Sequence, residues 1–201
     1  MAGGEEKPFR YLALGDSYTI CTGSSDRSRA WPSIVAARLE KRLSGPVELS
    51  NPAVNGYTTL DLIRDELPLV ERLRPQLVSV LIGVNDLVQG RTLAMYDSSL
   101  SEIYDALAGA RVFAISIPRW DYTPAAAGFG GADHVGRLTR LFNDIAREQA
   151  VAHGFAWVDI GDASRAGIGS KGWIASDELH PGDAQYAAWA DVIWEAMSRG
   201  I

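Results

Sequence analysis

A chain of 201 residues, 47% apolar and 22% charged, can bury one core, and this ordinary composition excludes the disordered and fibrous classes. Its formal net charge of −6 is the wrong sign for phosphate-backbone binding, so nucleic acid is not an expected partner. Cys21 is the only cysteine, which excludes an internal disulfide and a metal site built on several thiolates.

Met1 to Arg10 is polar and lacks the apolar centre of a secretory leader. Residues 1–9 are expected to form a flexible tail and residues 10–201 a single domain. The longest apolar stretch, around Leu77 to Val84, is far shorter than the roughly 20 residues a membrane-spanning helix needs. Together with the lone thiol, this makes a reducing, cytoplasmic setting the expectation.

From Arg10 onward, short β-rich runs alternate with segments of helical spacing, the pattern of linked βα units. The strands are expected over Tyr11–Gly15, Val47–Asn51, Leu77–Gly83, Arg111–Ile117 and Phe155–Ile160. Leu77-Val78-Ser79-Val80-Leu81-Ile82 is nearly continuous in apolar residues, as in a strand buried on both faces, so the third strand is expected to be central. Trp31, Ile34, Val35, Leu39 and Leu43 fall on one face of a first helix, with Pro32 in its first turn. Further helices are expected from Leu60 to Leu73, kinked or divided at Pro68, and over Met95–Leu107, Val135–Ala152 and Ala184–Met197. Gly154 suits the C-terminal cap of the fourth, which leaves His153 as a last-turn cation. Right-handed crossovers leave few topologies, of which the simplest is a three-layer α/β/α fold with a flavodoxin-like five-stranded parallel sheet in the order 2-1-3-4-5.

In such a sheet ligands bind beyond the carboxyl ends of the strands. Gly15-Asp16-Ser17-Tyr18 follows the first strand, Asn55-Gly56 the second and Gly83-Val84-Asn85-Asp86 the third. The fifth leads through a long loop to Asp177-Glu178-Leu179-His180-Pro181. Strands one and three flank the switch point, so Ser17 and Asn85 are expected to face each other across a cleft. A serine there acts as a nucleophile only if a base takes its proton and donors hold the oxyanion. Of the three histidines, His153 has a capping role and His134 lies in a Gly/Ala-rich region taken as flexible, which leaves His180 as base. Asp177, three residues earlier, is placed to fix its tautomer. Pro118 to Gly131 leaves the fourth strand at the same edge, and Trp120, Tyr122 and Phe129 are expected to wall an acyl site.

The four blocks Gly15-Asp16-Ser17, Gly56, Gly83-Val84-Asn85-Asp86 and Asp177-Glu178-Leu179-His180 resemble, in order, those of the SGNH (GDSL-type) hydrolases, and the compact form is most similar to lysophospholipase-like esterases. The resemblance implies cofactor-independent hydrolysis of a small-molecule carboxylic ester by Ser17, His180 and Asp177. It further implies an oxyanion hole made of the Ser17 and Gly56 N–H groups and the Asn85 side-chain amide. Tyr18 departs from the leucine many members carry, which changes a wall of the site rather than a reacting group.

Thioester cleavage and acyl transfer to an acceptor other than water remain open on the same residues. Two rivals lie outside the family's chemistry. Asp16 as an aspartyl nucleophile of a metal-dependent phosphatase is opposed by Tyr18, where a second aspartate is expected, and no phosphate-binding Gly-x-x-x-x-Gly-Lys-Ser/Thr loop occurs. A non-catalytic binding module is opposed by the full catalytic set.

Overall fold

The computed structural model describes residues 7–199. The expected tail lies outside the described residues as far as residue 6, whereas Phe9 already pairs with Val47. In chain order the elements are β1 (Phe9–Gly15), α1 (Ser17–Ile20), α2 (Trp31–Leu43), β2 (Val47–Ser50), α3 (Thr59–Asp61), α4 (Pro68–Leu73), β3 (Leu77–Leu81), α5 (Val84–Val88), α6 (Leu93–Ala106), β4 (Arg111–Ile115), α7 (Ala132–Ala152), β5 (Ala156–Val158) and α8 (Asp183–Ser198). The five strands form one wholly parallel sheet in the order 2-1-3-4-5. Right-handed crossovers put the helices on two faces, and α2 packs against α8 while α6 packs against α7.

β1 and β3 lie at the centre, where the side chains of Tyr11 to Leu14 and of Leu77 to Leu81 are buried. The one polar side chain in β3, Ser79, shares a 2.9 Å hydrogen bond with the Tyr11 hydroxyl, so its burial leaves no orphaned group.

Three strands are shorter than their apolar runs because distant side chains take the backbone groups that would continue the ladder. The Asn143 amide, on α7, pairs with both the N–H and the carbonyl of Ile117 (2.8 and 2.9 Å), and β4 stops at Ile115. The Tyr96 hydroxyl donates to the Ile82 carbonyl (3.1 Å), which follows the end of β3. The Ile160 N–H donates to the Ser116 hydroxyl (2.9 Å), beyond β5.

Of the kink or division expected at Pro68 in the helical segment from Leu60, the structure shows division, with α4 beginning at Pro68. Thr58 and Asp61 form a capping box at the start of α3. Pro68 has no N–H, and its ring would crowd the carbonyl four residues earlier, so the turn over Leu62–Glu66 widens to π geometry. The Leu67 N–H accordingly reaches back to Leu62, at 3.0 Å. This widening turns Glu66 inward, where it is 1% exposed. Two short helices escaped the periodicity argument: α1 and α5 have four and five residues, too few to show a period. His134 lies in the first turn of α7 rather than in a flexible region. His153 caps that helix, its ring bonded to the Gln149 carbonyl (2.7 Å) and 3.2 Å from Asp105.

Candidate active site

At the carboxyl edge of the sheet, β1 ends in a turn that admits only glycine at position 15. A Cβ there would lie 2.2 Å from the Leu81 carbonyl oxygen and 2.3 Å from the Thr19 hydroxyl. The close approach lets the chain turn at once into α1, whose first residue is Ser17. Asp16 caps this helix by accepting the Tyr18 N–H at 2.9 Å. Ser17 needs no capping role of its own, so its hydroxyl is free for other work.

A cavity of about 180 Å³ opens here, lined by Ser17, Tyr18, Asn55, Gly56, Val84, Asn85, Val88, Trp120, Phe129, Leu179 and His180. Seven of the residues singled out from sequence therefore meet in one place. The Asn85 side-chain Nδ2 donates to the Tyr57 carbonyl at 2.8 Å and approaches Asp16 Oδ2 at 3.4 Å. Gly56, with φ of 82°, takes the left-handed turn that brings its backbone to the rim.

His180 faces the cavity from the loop before α8. An antiparallel bridge between Ile174 and Pro181 and a 2.7 Å bond from the Ala175 N–H to the His180 carbonyl pin that loop. Asp177 Oδ1 accepts the N–H groups of Leu179 and His180 (3.0 and 2.9 Å), and Oδ2 lies 2.6 Å from His180 Nδ1. Partial burial opposes ionisation of Asp177, but the His180 ring and the two N–H groups outweigh it and hold the carboxyl below its ordinary range. An ionised carboxylate only accepts, so the imidazole proton sits on Nδ1 and Nε2 is left with its lone pair. Tyr18 packs edge-on against the same ring, with centroids 6.0 Å apart.

Trp120 is 2% exposed and meets Phe129 edge-to-face at 5.5 Å, forming one wall. Tyr122 does not line the cavity. Its hydroxyl donates to the Ser164 carbonyl at 2.7 Å and contacts Gln185, which ties the loop after β4 to the segment after β5. The sequence argument missed Asn55, Val84, Val88 and Leu179. Val84 and Val88 were legible as a four-residue spacing immediately after a strand end, and Leu179 as the apolar residue inside the Asp177–His180 turn.

Below the cavity lie three buried carboxyl groups. Burial pushes Asp16 up to about 7 against the opposing bond from the Tyr18 N–H, and nearby Asp86 adds to the rise. Burial likewise pushes Glu66 up to about 8, although it accepts the Gly15 N–H at 3.0 Å. Asp86 is also raised by burial, in part offset by the Thr59 hydroxyl and N–H (2.6 and 2.9 Å) and by Arg91, 3.0 Å away. Burial raises the Cys21 thiol, which keeps it protonated and inert. Among the described residues no group of three or more histidine, cysteine or acidic side chains is gathered as a metal site requires, and no helix is long and apolar enough to cross a membrane.

The order of the strands, with a serine, an imidazole and an amide meeting at their carboxyl ends, defines an α/β hydrolase of the SGNH type. The model of the GDSL-like lipase/acylhydrolase family matches residues 13–188, and the chain belongs to that family. That family is one of lipases and acylhydrolases, hydrolytic enzymes that act on esters. The fold is similar to that of TesA (TM-score 0.75, 22% identity, covering 94% of this chain and 98% of that one). It is also similar to Axe2, an acetyl xylan esterase from Geobacillus stearothermophilus (0.76, 18%, 96% and 95%). A third likeness is to phospholipase A1 from Streptomyces albidoflavus NA297 (0.73, 22%, 97% and 100%). No curated protein sequence matches the chain.

Proposed function

We propose that the protein hydrolyses carboxylic esters of small or medium acyl chains through an acyl-enzyme on Ser17. The observation that carries this reading is the convergence in one cavity of the Ser17 hydroxyl, the Asn85 amide and an imidazole whose Nδ1 is committed to Asp177. Ser17 Oγ attacks the ester carbonyl and passes its proton to His180 Nε2. The N–H groups of Ser17 and Gly56 and the Asn85 amide hold the oxyanion. The imidazolium returns its proton to the leaving alcohol, and the neutral ring then takes a proton from water as it attacks the acyl-enzyme and frees the acid. Every proton in this cycle is handled by His180, so the cycle requires neither metal nor cofactor. Asp16 is a poor phosphatase nucleophile, being wholly buried with its oxygens on Tyr18 and Asn85.

The test is covalent. An activated alkylphosphonate ester should inactivate the enzyme at one equivalent, expel its leaving group and leave only its phosphonyl group on the peptide carrying Ser17, and activity should persist in chelator. Labelling on another residue, or loss of activity in chelator, refutes the reading.

The small cavity and its apolar wall of Val84, Val88, Trp120, Phe129 and Leu179 support short and medium acyl groups over long ones. Each methylene buried against that wall contributes about 0.8 kcal/mol, roughly fourfold in kcat/KM. Trp120→Ala should lower kcat/KM for butyryl esters about tenfold, a loss equal to one or two such contacts, and shift the optimum to longer chains. Nitrophenyl esters from acetyl to palmitoyl, with thioester counterparts, would measure this. An unchanged chain-length profile would remove Trp120 from the acyl site.

A further inference from the structure

The carboxyl groups beneath the cavity lie outside the proposed proton pathway, yet two of them grip the backbone on either side of Ser17. Glu66 Oε2 accepts the N–H of Gly15, two residues before it. Asp16 accepts the N–H of Tyr18, one residue after it, and its other oxygen faces the Asn85 amide. Both acids are almost wholly buried, at 1% and 0% exposure, and the ion pair of Arg91 with Asp86 involves neither of them. Glu66 Oε1 has no hydrogen-bond partner. Apolar side chains would fill this space without desolvating two acids, so their presence calls for a use.

We propose that Glu66 and Asp16 are positioning residues, Glu66 fixing the end of β1 through Gly15 and Asp16 fixing both the Ser17 turn and the Asn85 amide. The inference rests on the reading of Ser17 as nucleophile and Asn85 as oxyanion donor. Its physical content is that nucleophile and donor arrive on different elements, α1 and α5, and need a common rigid support to meet one carbonyl. Asp16 is that support because it touches both. Glu66 holds the strand end from which Asp16 projects, and the π turn forced by Pro68 is what delivers it there.

Ionisation matters in a definite direction. The groups facing Glu66 are Asp16, Asp65, Tyr57 and the Gly15 N–H, and those facing Asp16 are Glu66, Asp86, Tyr18, Tyr96, Tyr186 and Asn85, while Arg91 pairs with Asp86. Burial, with Asp16 and Asp65 nearby, raises Glu66 from its ordinary 4.5 to about 8 and so favours its neutral form near neutral pH. Asp16, raised to about 7, ionises first, and raising the pH on through 8 adds the Glu66 charge beside it, which opposes oxyanion formation and lowers kcat further. Because the folded value lies above the unfolded one, stability also falls as pH rises from about 4.5 to about 8 and levels off beyond.

The experiment compares Glu66→Ala and Glu66→Gln with wild type well below their melting temperatures, with background hydrolysis taken from Ser17→Ala. Glu66→Ala should lose about tenfold in kcat with KM within twofold. Glu66→Gln keeps an oxygen for the Gly15 N–H but cannot ionise, so it should recover most of that loss and carry its activity to higher pH. Asp16→Asn, which offers one acceptor where two are used and sets an NH2 group against that of Asn85, should lose more than tenfold. Wild-type kcat in Glu66→Ala, or a Gln variant no better than Ala, overturns the proposal. If Glu66→Ala does not fold, an alkaline limb in Glu66→Gln identical to wild type overturns it alone. Phosphonate labelling in each variant separates the two readings. Slower labelling still on Ser17 upholds both, wild-type kcat in Glu66→Ala with Ser17 labelled overturns the positioning role alone, and a wild type labelled elsewhere overturns the nucleophile and with it the role built on it.

Discussion

Replacing Ser17 with alanine should lower kcat by at least about 10⁴-fold, the scale on which loss of a triad nucleophile is felt elsewhere. The substitution removes one oxygen atom and little else. Ser17 is 6% exposed, alanine is smaller, and the helix cap belongs to Asp16 rather than to the serine. The backbone N–H proposed as an oxyanion donor is retained, so the fold and ground-state binding should survive. Circular dichroism and the melting temperature should be close to those of wild type, and phosphonate labelling should vanish. Residual activity should come from the oxyanion donors and binding alone. Ester hydrolysis at the wild-type rate in purified Ser17→Ala protein would end the mechanism proposed here.

Asn85→Ala should cost about 10²- to 10³-fold in kcat with a small change in KM, because an oxyanion donor acts on charge that develops only in the transition state. One hydrogen of the Asn85 amide is committed to the Tyr57 carbonyl at 2.8 Å, which sets the plane of the group. The other faces Asp16 Oδ2 at 3.4 Å, a longer contact that keeps the amide turned toward the Ser17 side and that a substrate oxygen can share. Truncation also orphans the Tyr57 carbonyl, a loss of about 1 kcal/mol in stability that a melting curve can separate from the kinetic effect. Phosphonate labelling should slow in parallel with kcat, since the attack it reports passes through a similar charged species. A kcat within fivefold of wild type would assign the oxyanion to other donors.

The two predictions differ in how directly they were visible. Ser17, Asn85 and His180 each follow or precede a recognisable element, and strands buried on both faces are written as apolar runs that need no three-dimensional information to find. The Gly56 and Ser17 N–H groups were expected as donors only because the family resemblance implies them. Tyr122 was misjudged by the same logic. It shares a loop with Trp120 and Phe129, but sequence proximity does not say which way a side chain turns, and the Ser164 carbonyl and Gln185 draw it away from the cavity.

The sequence by itself determined the number, parallel sense and order of the strands, and which strand ends carry a hydroxyl, an amide, an imidazole and its carboxylate. These are properties of local pattern and of the handedness of crossovers, and they survive without knowledge of any contact. Only the tertiary structure decided where strands stop, which aromatic residues reach the cavity, and that Glu66 lies beneath the nucleophile turn. The reason is common to all three. Each depends on one side chain meeting a backbone group from a remote segment, as Asn143 meets Ile117, Tyr122 meets Ser164 and Glu66 meets Gly15. Such a bond forms through packing rather than propensity, and no periodicity along the chain records it.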